Sequence, residues 1–276
     1  MKKFLKKASP SFIVGSILIL LVALTAIVAF FWTPYAPNVM DTVHSYLKPG
    51  ADPSHILGTD QFGRDILSRI MEGSKTVLII GFISVICGAF AGVLLGSVAA
   101  IVKGPIGAII MRTMEGFIAF PSVLLAIMLV AVIGKGEAGA IIAISIYTVA
   151  PFARLTNTLI LENENLPAIK AAKSFGVDSK RLLTHYYMPM MLPRLLTQFS
   201  ASVGSAIMTE AALSFLGLGV QPPDASWGLM LSDAKQYALL YPYLAFAPGI
   251  AIIITVLGFH LLSDGLGDLL IKRRSQ

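Results

Sequence analysis

Few residues of this 276-residue chain combine reactive side chains with a spacing that supports catalysis. Gly73-Ser74-Lys75-Thr76 is a partial phosphate loop, but that pattern needs Gly directly before Lys and another Gly five positions earlier, where Ser74 and Arg69 stand. Gly217-Leu218-Gly219 follows a long apolar run rather than a strand, so it is no dinucleotide fingerprint. His44, His55, His185 and His260 are scattered, and Cys87 is the only cysteine, so no metal cluster or intrachain disulfide can be assembled from them. No nucleophile, base and orienting group fall together. Three polar residues sit in apolar runs instead. Glu210 is costly there, which makes it either a functional carboxyl or a brace, and the brace is favoured because its segment runs straight into a loop. Arg154 is expected to snorkel from near a helix end, and His260 to be a hydrogen-bonded packing residue.

The spacing that does suggest work is mechanical. Within 161–194, Asn165 to Phe175 reads as one short helix and Asp178 to Met188 as another. Gly176 between them suits the left-handed conformation that ends a helix, and Asp178 is placed to cap the next. Ala171 and Ala172 offer a flat surface before the corner, while Leu182, Leu183, Tyr186 and Tyr187 give the second helix an apolar face able to dock in a partner's cleft. Pro189 and Pro193 are expected to stop this element.

The elements that must carry this corner are membrane helices. Of the residues, 56% are hydrophobic and 13% charged, so water is not the main solvent. A span needs about 20 mostly apolar residues, which predicts six helices at 11–32, 76–102, 107–133, 139–160, 195–218 and 242–264. The first, preceded by four lysines, is too long for a signal peptide and reads as an uncleaved anchor. The intervening segments place 14 Lys and Arg on one side and 6 on the other, with Arg154 unassigned, so both termini are expected in the cytoplasm. The net charge of +6 lies at the ends of apolar runs, not in a stripe with interleaved aromatics, which argues against nucleic acid. Ser84, Gly88, Gly92, Gly96 and Ala100 form a small-residue groove for a packing helix, and Pro121 predicts a kink or a late helix start. In the first outer loop, Gln61 to Met71 predicts a short interfacial helix. Three regions result: 1–75 with the tail, first span and outer loop; 76–265, the core including 161–194; and a basic tail, 266–276.

Ala171-Ala172, Gly176 and Met188-Pro189 resemble the EAA loop of ABC importer permeases, where two alanines, a glycine four positions later and a distal Leu-Pro mark the coupling helices. Here Lys170 replaces the family glutamate, Tyr186 its isoleucine and Met188 its leucine. Leu57-Gly58-Thr59-Asp60-Gln61-Phe62-Gly63-Arg64-Asp65 and the stretch from Glu210 to Pro223 look like signatures of the second permease of dipeptide, oligopeptide and nickel importers. That resemblance implies an all-α type I importer fold in the cell membrane. It implies a heterodimer with a sister permease, two cytoplasmic ATPases that bind the ATP and Mg, and an extracytoplasmic binding protein. It assigns ATPase coupling to Lys170, Ala171, Ala172, Lys173, Gly176, Asp178, Met188 and Pro189. The outer, binding-protein side takes Gly58, Asp60, Gly63, Arg64, Asp65, Glu210 and Trp227. Peptide is the expected cargo, with nickel or another metal chelate as the alternative; a secondary transporter, a channel or a scaffold ranks lower, since neither inverted repeats nor intramembrane acid chains are visible.

Overall fold

The computed structural model describes residues 9–102 and 104–274, with side chains up to residue 269. Lys2, Lys3, Lys6, Lys7 and Lys103 lie outside the described residues, as do the side chains of Lys272, Arg273 and Arg274, so the charge asymmetry rests on sequence.

Ser9 opens α1 (Pro10–Phe31): its hydroxyl accepts the Phe12 N–H at 3.3 Å, and Pro10 occupies a first turn that needs no amide donor. The loop that follows contains one 3₁₀ turn, Thr42–His44. Asp65 then starts α2 (Ile66–Val102) by accepting both the N–H and the hydroxyl of Ser68, at 2.8 and 2.6 Å. No proline interrupts the next 37 residues, so the expected interfacial helix at 61–71 is not a separate element. Its amphipathic face is the first turns of α2, and the expected boundary at 75 falls inside that helix.

The predicted third span is broken. α3 (Gly104–Ala119) and α4 (Ser122–Ile133) meet at 101° around Phe120-Pro121, because Pro121 lacks a donor and drives the residue before it out of helical geometry. α5 (Glu137–Asn163) leads to the corner: α6 (Pro167–Ser174), the single turn α7 (Ser179–Arg181) and a π-helical turn, Leu182–Tyr187. From there α8 (Met188–Phe215) continues directly. The expected stop at Pro189 and Pro193 does not occur: Pro189 sits in the first turn of the restored α-helix, where its missing donor costs little, and α8 absorbs the one bond lost at Pro193. α9 (Trp227–Ala234) and α10 (Tyr243–Arg274) complete the described chain.

Among the described residues, α1, α2, α5 and the 243–269 part of α10 are long and apolar enough to cross a membrane, and the bent α3–α4 pair adds a fifth span. The remaining predicted span, α8, is 28 residues long but more polar. It turns Ser200, Ser202, Thr209, Glu210 and Ser214 into buried positions against its neighbours instead of toward lipid. The small-residue groove is filled within the chain. A Cβ on Gly88, Gly92 or Gly96 would fall 2.3–2.6 Å from the carbonyl oxygens of Ser145, Val149 and Ala153, so α2 and α5 approach backbone to backbone. Loops 32–65 and 216–242 gather at one end of the bundle, here the loop face. The corner at 164–187 forms the other, the elbow face.

Candidate coupling elbow and opposing polar cap

At the elbow face, α6 ends in a full Schellman turn. Gly176 has φ +74° and donates to Lys173 O at 3.0 Å, while Val177 N–H reaches Ala172 O at 3.1 Å. Asp178 accepts Arg181 N–H at 3.4 Å, as its spacing predicts. Beneath the corner, Ile169, Ala172, Leu182 and Tyr187 are buried, and Leu183 and Tyr186 are half-buried. Two expectations change here. Ala172 anchors the elbow from below and only Ala171 faces outward; the apolar face of the second helix is spent on the chain's own core. The outward surface is Lys170, Ala171, Phe175 and Gly176, with Phe175 87% exposed. Sequence reasoning passed over Phe175, whose signal was an aromatic at the last position before the helix-ending glycine. Lys173 bonds the Glu164 carboxylate at 2.9 Å, which holds its ammonium pKa above the ordinary range. Met188 is half-buried and Pro189 exposed at the start of α8.

The loop face is built on charges out of water. Asp60 accepts Phe62 N–H (2.8 Å), Arg64 N–H (3.0 Å) and Arg64 Nε (2.5 Å), and Arg64 Nη2 also reaches Asp233 at 3.1 Å. Arg69, 1% exposed, lies 4.0 Å from Asp60 and donates to Pro37 O and Asn38 Oδ1. Asp65, besides capping α2, lies 3.0 Å from His55 Nδ1. Gly58 and Gly63 have positive φ, and a Cβ on Gly63 would sit 1.7 Å from Asp41 O. Trp227, fully packed, donates from Nε1 to Ile70 O at 3.0 Å and so pins α9 against α2. Ser214 Oγ–H donates to Glu210 Oε1 at 2.7 Å and accepts Val220 N–H at 3.0 Å, tying the end of α8 to the next loop. Glu210 is fully buried, and its Oε2 has no hydrogen-bond partner among the described residues.

The structure thus brings Gly58, Asp60, Gly63, Arg64 and Asp65 into one cluster and adds Asp233, Arg69 and Ser68, which sequence missed; Trp227 and Glu210 are bonded separately, to Ile70 and Ser214. Asp60, Arg64, Asp65, Glu210 and Trp227 are buried, so this set shapes the surface without forming it. Gly73 to Thr76 are helical, with Lys75 paired to Glu72 at 2.7 Å. His260 is exposed on α10, its Nε2 3.5 Å from where a Cβ on Gly204 would stand. Among the described residues no three of His, Cys, Asp and Glu are grouped to hold a metal.

Residues 92–276 match the model of the binding-protein-dependent transport system inner membrane component family. The chain belongs to that family. This permease is 40% identical over 263 residues to the glutathione transport system permease protein GsiD of Pectobacterium atrosepticum, covering 93% of this chain and 84% of that protein. With GsiD of Salmonella typhimurium strain LT2 it shares 43% over 255 residues, 91% and 83% of the two chains. Its fold is similar to a chain of the MetNI methionine ABC transporter in an inward-facing form, with TM-score 0.60 and 16% identity over 75% of this chain and 96% of that one. The protein is therefore a multi-pass inner-membrane permease subunit of an ABC importer, not an enzyme.

Proposed function

We propose that this permease imports di- or oligopeptides, forming the pathway with a sister permease above two ATPases that bind the ATP and Mg. An extracytoplasmic binding protein would deliver the cargo at the loop face, and both termini and the elbow would lie in the cytoplasm. The observation that carries the coupling role is the elbow: a rigid corner seated on Ile169 and Ala172 that presents Phe175 outward. An ATPase cleft that grips this corner moves α8 with it, because the corner ends in the helical turn Leu182–Tyr187 and α8 continues directly from it. Lys170, Ala171, Ala172, Lys173, Gly176, Asp178, Met188 and Pro189 take the roles of seat, corner and lever base. At the loop face, Gly58, Asp60, Gly63, Arg64, Asp65, Glu210 and Trp227 act as scaffold, and exposed Val39, Met40, Val43 and Ile56 are the surface offered to the binding protein.

The peptide cargo draws support from relatives named as glutathione permeases, glutathione being itself a peptide. The test is uptake by the complete complex in proteoliposomes supplied with binding protein. Glutathione or a dipeptide should accumulate with ATP and not without it. Uptake of a nickel chelate in preference to peptides would replace the cargo, and gradient-driven uptake without the ATPases would overturn the coupling scheme.

A further inference from the structure

Near the loop face, Tyr147 Oη of α5 lies 3.4 Å from Thr209 Oγ1 of α8. Near the elbow face, Arg194 Nη1 of α8 donates to Glu162 Oε2 of α5 at 3.2 Å. The two ties are fifteen residues apart on each helix, so α5 and α8 run antiparallel in a single register. Helical periodicity puts Arg154 and Thr158 on the α5 face that bears Tyr147 and Glu162. It puts Gln198, Ser202 and Ser205 on the α8 face that bears Arg194 and Thr209. In this register Arg154 stands level with Ser202 and Thr158 with Gln198. A polar strip therefore runs between two fastened ends, and Arg154, Thr158 and Ser205 along it are exposed.

Arg154 differs from its counterparts. In the other long helices Arg69, Arg112 and Arg194 each face a carboxylate, on Asp60, Glu115 and Glu162 at 4.0, 2.9 and 3.2 Å. Arg154 has no carboxylate partner among the described residues. It stands nine residues before the end of α5, about 13 Å along the axis. An exposed arginine on this strip, with no carboxylate partner among the described residues, is placed to take up an anion, and Ser202 Oγ, level with it, accepts from Gln198 Nε2 at 3.1 Å. Its planar fork matches a carboxylate or a phosphate in two parallel hydrogen bonds.

We propose that this strip binds the carboxylate of the transported molecule, with Arg154 supplying the charge and the hydroxyls of Thr158 and Ser202 the side support. The cargo half of this statement rests on the peptide reading above, since every free peptide carries a terminal carboxylate; a lipid phosphate presents the same chemistry. The test uses the complete complex in phosphatidylcholine vesicles with Cys87→Ser and Ser205→Cys. A sulfonate-bearing thiol reagent and an uncharged one of similar size are compared at the introduced thiol. With Arg154 present the anionic reagent should be favoured, and Arg154→Gln should lower the ratio of the two rates roughly tenfold, with Arg154→Lys in between. An unchanged ratio would overturn the proposal, as it would if a sister-subunit carboxylate already neutralised Arg154. A dialanine peptide should then protect the thiol when Arg154 is present and fail to do so in Arg154→Gln. Protection by added phosphatidylglycerol but not by the peptide would assign the strip to lipid and overturn the cargo role. Failure of the peptide reading alone would show separately, as absence of ATP-driven peptide uptake in the unmodified complex despite a normal reagent ratio.

Discussion

The two ends of the bundle solve opposite problems with similar parts. Each contains a left-handed glycine and an aspartate that organises the turn. At the loop face Asp60 and Arg64 are buried, each with several partners, and Gly63 is jammed against the Asp41 backbone. At the elbow Lys170, Ala171, Phe175 and Asp178 are exposed, and a Cβ on Gly176 would meet nothing within 4 Å. A buried charge network is expensive unless every member is paired, so the cap tolerates few changes and holds one shape. The elbow is locally rigid through its Schellman turn and open outward, which is what a surface handed to a moving partner requires.

Breaking the cap should have the largest effect. Asp60→Ala removes the shared acceptor and leaves Arg64 and Arg69 short of a partner out of water. We expect a loss of about 4 kcal/mol, read as a fall in the detergent unfolding midpoint, with loop 32–65 becoming protease-sensitive. A loss confined to transport, with an unchanged midpoint, would mean the network is not the fastener described.

The paired glycines sharpen the contrast. Gly63→Ala adds backbone strain and a collision with Asp41 O, and should cost about 3 kcal/mol. Gly176→Ala meets open space and should cost only about 1 kcal/mol for its positive φ. Gly176→Asp should likewise insert and assemble in the membrane yet abolish ATP-driven uptake, because it sets a charge on the surface proposed for ATPase docking. Equal losses of stability at positions 63 and 176 would erase the distinction between the two ends.

Phe175→Ala isolates docking from folding. A side chain 87% exposed contributes little to the chain's own stability, so the midpoint should move by less than about 0.5 kcal/mol. Uptake per ATP hydrolysed should still fall severalfold if Phe175 fills the partner's cleft. Unchanged coupling would shift the contact to Lys170 and Ala171.

Local signals carried much of this into the sequence. Apolar runs located α1, α2, α5, α10 and the bent α3–α4 pair, the stripe from Ser84 to Ala100 announced a close helix pair, and Gly176 with Asp178 marked the corner. What escaped depended on contacts between distant segments. Asp233 meets Arg64 across 169 residues and Trp227 meets Ile70 across 157, and no spacing within either segment encodes the partner. The continuity of α8 through Pro189 and Pro193 escaped because a widened turn before them resets the hydrogen-bond register, overriding the usual meaning of proline. Ala171 and Ala172 are indistinguishable by composition, and only packing decides which is anchor and which is surface.

The smallest effect lies on the cap's outer skin, where His44 Nδ1 and Asp41 Oδ2 are 2.7 Å apart and both side chains are about half exposed. The Asp41 hydrogen bond raises the His44 pKa above 6.5, with Asp41 and Asp52 charge adding to it, and the same bond lowers the Asp41 pKa below 3.8. For His44, whose folded value is raised, the added stability is complete below about 6.5 and fades as pH climbs through the folded value. For Asp41, whose folded value is lowered, it is present above about 3.8 and fades as pH falls through the folded value. The tie around the Thr42–His44 turn is therefore strongest between these limits, in mildly acid solution. Amide exchange at Val43, whose N–H donates to Asp41 Oδ1 at 3.1 Å, should be slowest relative to the intrinsic rate in that window and should lose its alkaline-side change in His44→Gln. The amides of Phe62 and Arg64, which donate to buried Asp60, report on the interior of the cap. A shared pH profile for all three amides would mean that the skin and the interior of the cap open as one unit.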